Sequence, residues 1–221
     1  MRILDGTKVV DAGPRWRDAV SERRVVIDLG AGDARWVYDS ARSDPESVYI
    51  AVDPDADALR EYAYRASRKP SRGGVANASF VVASVEQLPP ELLGMADLVR
   101  VNFPWGGLLR GLIEPRDDVL RAIASLGKVN ATFEIVLAYM PEHDTGAFAA
   151  GPLSALEETR LEELEPAYAE AGLIIEDRRR LTQDEALTLP STWGRRLLHA
   201  RPRPVFLLSG HLMSPGEKRP S

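Results

Sequence analysis

Apolar positions along this chain gather into short continuous runs, and the stretches between them repeat with helical period. Runs such as Val25-Val26-Ile27 and Val48-Tyr49-Ile50-Ala51-Val52 show no polar alternation, which predicts strands buried on both faces. Strands are predicted over 24–29, 48–52 (closed by Asp53), 79–83, 97–101, 132–139, 173–180 and 205–209. Helices are predicted over about 34–43, from Pro54 or Asp55 to 67, over 116–126, over 153–171 with an interruption near Pro166, and over 190–200. Ahead of them, Lys8 to Gly13 is β-like, and Pro14 fits the first turn of a short helix.

Five rounds of strand and helix imply an α/β fold, a mainly parallel sheet covered on both faces. The end of the chain breaks the alternation, since only a short helix separates the sixth and seventh strands. The last strand is therefore expected to run antiparallel. Residues 1–22 read as an N-terminal extension, 23–213 as one domain with a polar linker at 68–74, and 214–221 as a disordered tail. No repeat or low-complexity segment is visible.

Composition narrows the chemistry. The chain has no cysteine, which excludes disulfides and thiol nucleophiles. No apolar run approaches the roughly 18 residues that cross a bilayer. Met1 to Asp5 lacks the apolar core of a signal peptide, so a cytoplasmic protein is expected, with no membrane partner. The net charge of −5 argues against indiscriminate nucleic-acid binding. Basic residues nevertheless cluster at Arg65, Arg68, Lys69 and Arg72, at Arg178 to Arg180, and from Arg195 to Arg203, and such clusters can form a local basic face. Glu157 to Glu165 reads as a solvated helical face. His143, His199 and His211 are too scattered to hold a metal, and none is expected.

Candidate chemistry lies where strands give way to helices. Asp28-x-Gly30-x-Gly32-Asp33 follows the first long strand, where glycines let a ligand approach the backbone. Asp53, ending the next strand, can accept from both hydroxyls of a ribose, although Asp53 or Asp55 could equally cap the following helix. The pair points to an adenosine-bearing cofactor and does not separate a nicotinamide dinucleotide from S-adenosylmethionine. Ser84-Val85-Glu86-Gln87 would lie beside the adenine, and its spacing also suits a capping box. Two aromatic loops follow: Asn102-Phe103-Pro104-Trp105-Gly106-Gly107, and Ser191-Thr192-Trp193-Gly194-Arg195-Arg196. Each Trp offers a face on which an unstacked base can lie; otherwise Trp105 packs under its own loop, and the second stretch is only the start of a capped amphipathic helix with a solvated basic face. Arg195 and Arg196 would then lie near phosphates.

Taken together these motifs resemble the 16S ribosomal RNA adenine-N1 methyltransferases that confer aminoglycoside resistance at the decoding site. The likeness rests on Asp28-Leu29-Gly30-Ala31-Gly32-Asp33, Asp53, Glu86-Gln87-Leu88-Pro89-Pro90, Pro104-Trp105-Gly106, Leu108-Leu109-Arg110-Gly111, Tyr168-Ala169-Glu170-Ala171-Gly172 and Thr192-Trp193-x-Arg195-Arg196-Leu197. It runs from about 25 to 208. It implies a Rossmann-like class I methyltransferase fold with seven strands, the last antiparallel, S-adenosylmethionine as methyl donor, and the 16S rRNA of the 30S subunit as partner. It implies that Trp105 and Trp193, with Pro104, hold a flipped adenine, that Asp53 binds the ribose, and that Val85 and Glu86 flank the cofactor's adenine. Asn102 to Gly107 and Ser191 to Trp193 would border cofactor and target. Arg196 and Arg203, with Arg65, Arg68, Lys69 and Arg72, would dock on RNA. The chain departs from some relatives at Ala34, where they carry glycine, and at Asn102-Phe103. A monomer is expected. An N6-adenine methyltransferase, suggested by Asn102-x-Pro104-Trp105, and an NAD-dependent oxidoreductase are the competing readings.

Overall fold

A computed structural model describes residues 1–14, 16–144, 151, 153–189 and 191–213. Nine strands form one sheet: β1 Arg2–Asp5, β2 Lys8–Asp11, β3 Val25–Leu29, β4 Val48–Asp53, β5 Ala78–Val82, β6 Ala96–Asn102, β7 Gly127–Ala138, β8 Leu173–Leu181 and β9 Val205–Leu212. The helices are α1 Trp16–Ser21, α2 Arg35–Ser43, α3 Ala56–Ala66, α4 Gly106–Ile113, α5 Asp117–Ser125, α6 Glu158–Glu170, α7 Gln183–Thr188 and α8 Thr192–Ala200. Strand order is β2-β1-β5-β4-β3-β6-β7-β9-β8.

Pairing is parallel from β5 through β4, β3 and β6 to β7, and β9 inserts antiparallel between β7 and β8. The expected antiparallel last strand is therefore present. Every residue of β3 is buried because helices cover both faces. After β3 the chain builds outward through β4 and β5, then returns to place β6 on the other side of β3. That reversal opens a crevice at the carboxyl ends of β3 and β6.

Several sequence expectations change. The seven-stranded sheet gains two strands, because Arg2–Asp5 and Lys8–Asp11 form a hairpin. The extension is joined to the domain: Ile3 pairs with Val81, the Met1 ammonium meets Glu91 at 3.0 Å, and Trp16 donates to Ser79 Oγ at 3.3 Å. The segment starting Gly106-Gly107 is helical, despite two poor helix formers, because Leu109, Leu112 and Ile113 bury one face. Gln183–Thr188 is also a helix, started by a capping box in which Thr182 and Glu185 satisfy each other's backbone. Finally, α6 runs through Pro166 without interruption. Buried Leu161, Leu164 and Tyr168 hold both sides of it, and Tyr168 Oη donates to Leu112 O at 2.9 Å. The helix starts at Glu158 rather than 153; Leu153 and Leu156 are buried ahead of it. The tail from Ser214 and the loop residues Gly146 and Pro152 lie outside the described residues.

Candidate active site

The glycine loop is shaped by backbone and held by one acid. Gly30 and Gly32 take left-handed φ values of 74° and 56°. Gly30 N–H donates to Val52 O at 2.8 Å, and Gly32 N–H donates to Asp53 Oδ2 at 2.8 Å. Asp53 Oδ1 accepts from Asp55 N–H at 2.9 Å, so this carboxylate ties the loop after β3 to the end of β4. Burial is the main cause that raises its pKa above the ordinary carboxylate range. The helix cap is Asp55, which accepts from Asp57 N–H and Ala58 N–H at 2.9 and 3.1 Å. Asp53 therefore has a loop-closing role that spacing alone did not reveal. Ala34 is left-handed at φ 56°, a conformation that glycine adopts at lower cost.

The two aromatic loops are interlocked. Phe103 is buried with φ 50°, and its N–H donates to Val136 O at 3.0 Å. Ser191 Oγ caps α8 by accepting from Gly194 N–H at 3.0 Å. A Cβ on Gly194 would meet the Phe103 ring at 2.4 Å, so only glycine lets α8 approach this close. The contact carries Trp193 to Trp105: their ring centroids lie 5.3 Å apart at 73°, edge to face. Neither indole is packed under its loop; Trp105 is 36% and Trp193 42% exposed. Gly194→Ala is expected to cost about 1–3 kcal/mol by forcing the two loops apart. Thermal unfolding would measure it, and an unchanged melting temperature would count against the contact.

Beneath the Trp pair lies a cleft of about 630 Å³. Its walls include Asp28, Gly30, Ala31, Gly32, Asp33, Asp53, Val85, Glu86, Asn102, Phe103, Trp105, Gly106, Gly107, Ser191, Thr192 and Trp193, so residues predicted from five segments converge. Pro104 is buried and does not line it; it shapes the loop. Trp36, Leu108 and Arg196 line the cleft as well. Trp36 was not foreseen as a wall; the one signal for it is an aromatic one turn beyond the glycines. Val85–Gln87 forms a short 3-10 turn, and Ser84 makes no side-chain cap, so the capping-box reading of that loop fails.

Polar groups line the cleft among its apolar walls. Asp28 is buried, and burial raises its carboxyl to about 7, against the pull of Arg100 and the Asn102 hydrogen bond. Arg100 pairs with Glu134 at 3.0 Å and stacks over Trp36 at 4.0 Å. Asn102 Oδ1 and Thr192 Oγ1 are buried without a hydrogen-bond partner among the described residues. A cleft of this size with an acid, apolar walls and orphaned polar atoms fits a nucleoside joined to an amino acid.

Basic residues divide into two groups. Arg68, Lys69, Arg72, Arg195 and Arg196 are exposed. Arg65 is exposed too but bonded to Glu61 at 2.6 Å. Arg203 is placed inward: its side chain is 3% exposed and bonds both oxygens of Asp144 at 2.9 and 2.7 Å, closing the α8–β9 connection onto the loop after β7. Arg178 meets Glu162 and Glu165, so part of the acidic face of α6 is paired rather than purely solvated. His143 contacts Arg201 and His211 contacts Glu176, and no metal-binding cluster occurs among the described residues.

Comparison with known proteins places these features in a family. A family model described as NpmA, 16S rRNA (adenine(1408)-N(1))-methyltransferase, matches residues 2–212. A 16S rRNA (adenine(1408)-N(1))-methyltransferase of Escherichia coli is 36% identical, over 96% of this chain and 99% of the relative. One from Streptoalloteichus hindustanus is 33% identical over the same shares. Among solved structures, a variant of the corresponding enzyme from Catenulisporales acidiphilia with cosubstrate SAM superposes with TM-score 0.86 at 30% identity, covering 99% of each chain. The aminoglycoside resistance methyltransferase NpmB1 superposes with TM-score 0.80 at 35% identity, covering 96% of this chain and 99% of that one.

Proposed function

Because this chain belongs to the 16S rRNA (adenine(1408)-N(1))-methyltransferase family, we propose that it transfers a methyl group from S-adenosylmethionine to N1 of the decoding-site adenine of 16S rRNA, giving aminoglycoside resistance. The observation that carries the reading is the meeting of two exposed indoles, Trp105 and Trp193, over the cleft. They come from loops far apart in sequence, and both sit where a base would enter.

S-adenosylmethionine supplies an activated methyl carbon on a sulfonium. Adenine N1 carries its own lone pair, so no side chain must remove a proton before attack. The protein's part is therefore positioning. Asp53 accepts from the ribose hydroxyls, Val85 and Glu86 flank the donor's adenine, and the backbone of Gly30 to Gly32 leaves room for close approach. Trp105 and Trp193 hold the flipped base, and their faces stabilise the cationic N1-methyl product. In the free protein the indoles touch edge to face at 5.3 Å. A base sandwiched between them needs roughly 7 Å, two stacking distances, so the rings turn and part as it enters.

The substrate is the assembled 30S subunit, and the enzyme acts on it as a monomer in the cytoplasm. Support comes from exposed basic residues in separate segments, Arg68 to Arg72 and Arg195-Arg196, which a shaped RNA would contact together. No helix among the described residues is long and apolar enough to cross a membrane. Incubation with labelled S-adenosylmethionine and 30S subunits, then mass spectrometry of the digested nucleosides, tests the reading. N1-methyladenosine at the decoding site is the expected product. N6-methyladenosine, or equal labelling of a short free oligonucleotide, would overturn the atom or the substrate.

A further inference from the structure

A row of charge crosses the sheet from the cleft outward. The strand register sets Asp28 of β3 beside Arg100 of β6, and Arg100 beside Glu134 of β7. Neighbours in register stand on the same face, so one cation lies between two acids. The Arg100 side chain is only 10% exposed, and a cation this deep needs an acid to offset its lost hydration.

Arg100 has taken the outer acid. Its Nε lies 3.0 Å from Glu134 Oε2, an ion pair without the alignment of a hydrogen bond. Its guanidinium carbon sits 4.0 Å from the centre of the Trp36 ring, a favourable place for a cation. Neither a hydrogen bond nor an ion pair joins it to Asp28 among the described residues; Asp28 Oδ1 accepts instead from Asn102 Nδ2 at 3.4 Å. Beyond Glu134 the row continues to Ser209 of β9, which carries no charge, so Glu134 is the acid that holds Arg100 on this side. Trp36 and Asp28 line the cleft, whereas Arg100 and Glu134 do not.

Resting on the methyl-donor assignment above, we propose that Glu134 is a positioning residue: by holding Arg100 against Trp36, it keeps the guanidinium off Asp28 and leaves that carboxyl to the cationic donor. Without the Glu134 charge, the nearest acid in the row is Asp28. Arg100 then turns to it, and S-adenosylmethionine must displace a cation of the protein before it can bind.

Calorimetric titration of the full chain tests this with S-adenosylmethionine and with 5′-methylthioadenosine, which is uncharged. Glu134→Gln, nearly isosteric, is expected to weaken S-adenosylmethionine by about tenfold, the size of one hydrogen bond between charged groups. Methylthioadenosine should bind as before, which shows that the pocket is folded. Glu134→Asp keeps the charge and should recover most of the loss. In an Arg100→Met background, Glu134→Gln should change neither affinity, because the competing cation is gone. Equal weakening toward both ligands, or no weakening at all, would overturn the proposal. So would the same tenfold loss in the Arg100→Met background, since Glu134 would then act without Arg100. If the unaltered protein binds neither ligand, the methyl-donor assignment itself falls, and this inference with it.

Discussion

Replacing Trp105 or Trp193 by alanine is expected to lower methyl transfer to 30S subunits by about ten- to a hundredfold each, the worth of one base–aromatic stack. Affinity for S-adenosylmethionine should stay within about threefold, since the remaining cleft walls, from Asp28 to Glu86, are untouched. The two losses should not simply add. Each ring presses on the other at 5.3 Å in the free protein, so removing one changes what the other packs against. Trp105→Phe and Trp193→Phe should recover part of the activity, because a smaller aromatic face remains. Single-turnover transfer and calorimetry on the same preparations separate the outcomes. Near-normal transfer by both alanine variants would sink the clamp. Loss of donor binding in step with loss of transfer would make the indoles parts of the cofactor wall instead.

The pairing of Trp105 with Trp193 marks how far a pattern in the sequence reaches. Each Trp loop was visible because its residues are contiguous: a strand ends, Pro or Ser shapes the turn, and a helix starts. Asp28, the glycines and Asp53 were visible for the same reason, since their spacing follows from one β-α-β unit. What joins these pieces is tertiary. The fit of Gly194 against the Phe103 ring depends on two segments about ninety residues apart, and a glycine there reads locally as a weak helix residue. Trp36 reads as part of an amphipathic helix; only the sheet brings Arg100 beneath its ring. Arg203 belongs to a basic stretch, and charge alone suggested a surface; its partner Asp144 is 59 residues away and turns it inward. The hairpin at the N-terminus likewise needs the edge of β5, which no local signal in its own residues names. Short-range chemistry was legible, and partners chosen across the sheet were not.

The same rule governs the acid at the centre of the cleft, where the sequence shows a strand-end aspartate and the fold sets its pKa. Asp28 in the free protein is raised to about 7, chiefly by burial, with Asp53 and Asp33 adding to the rise and Arg100 and Asn102 opposing it. A cationic ligand prefers the ionised form, so donor binding should release a proton below pH 7. Affinity is then expected to fall by about tenfold per pH unit below 7. It should also fall above about 8, where an α-amino group loses its own proton. Stability without ligand follows the opposite course. Between about pH 4 and 7 the folded protein holds a proton that the unfolded chain has released, so this group's contribution to stability declines as pH rises through that window. At about 1.4 kcal/mol per unit, the loss is on the order of 4 kcal/mol by pH 7. Asp28→Asn removes the penalty. It should raise the melting temperature of the free protein at pH 8 while weakening S-adenosylmethionine about thirtyfold or more, as when one partner of a buried charge pair is lost. Melting curves and titrations from pH 5.5 to 8.5 test both halves together. A flat affinity profile, or a variant less stable than the parent at pH 8, would mean that Asp28 is ionised without its ligand and that Arg100 outweighs burial.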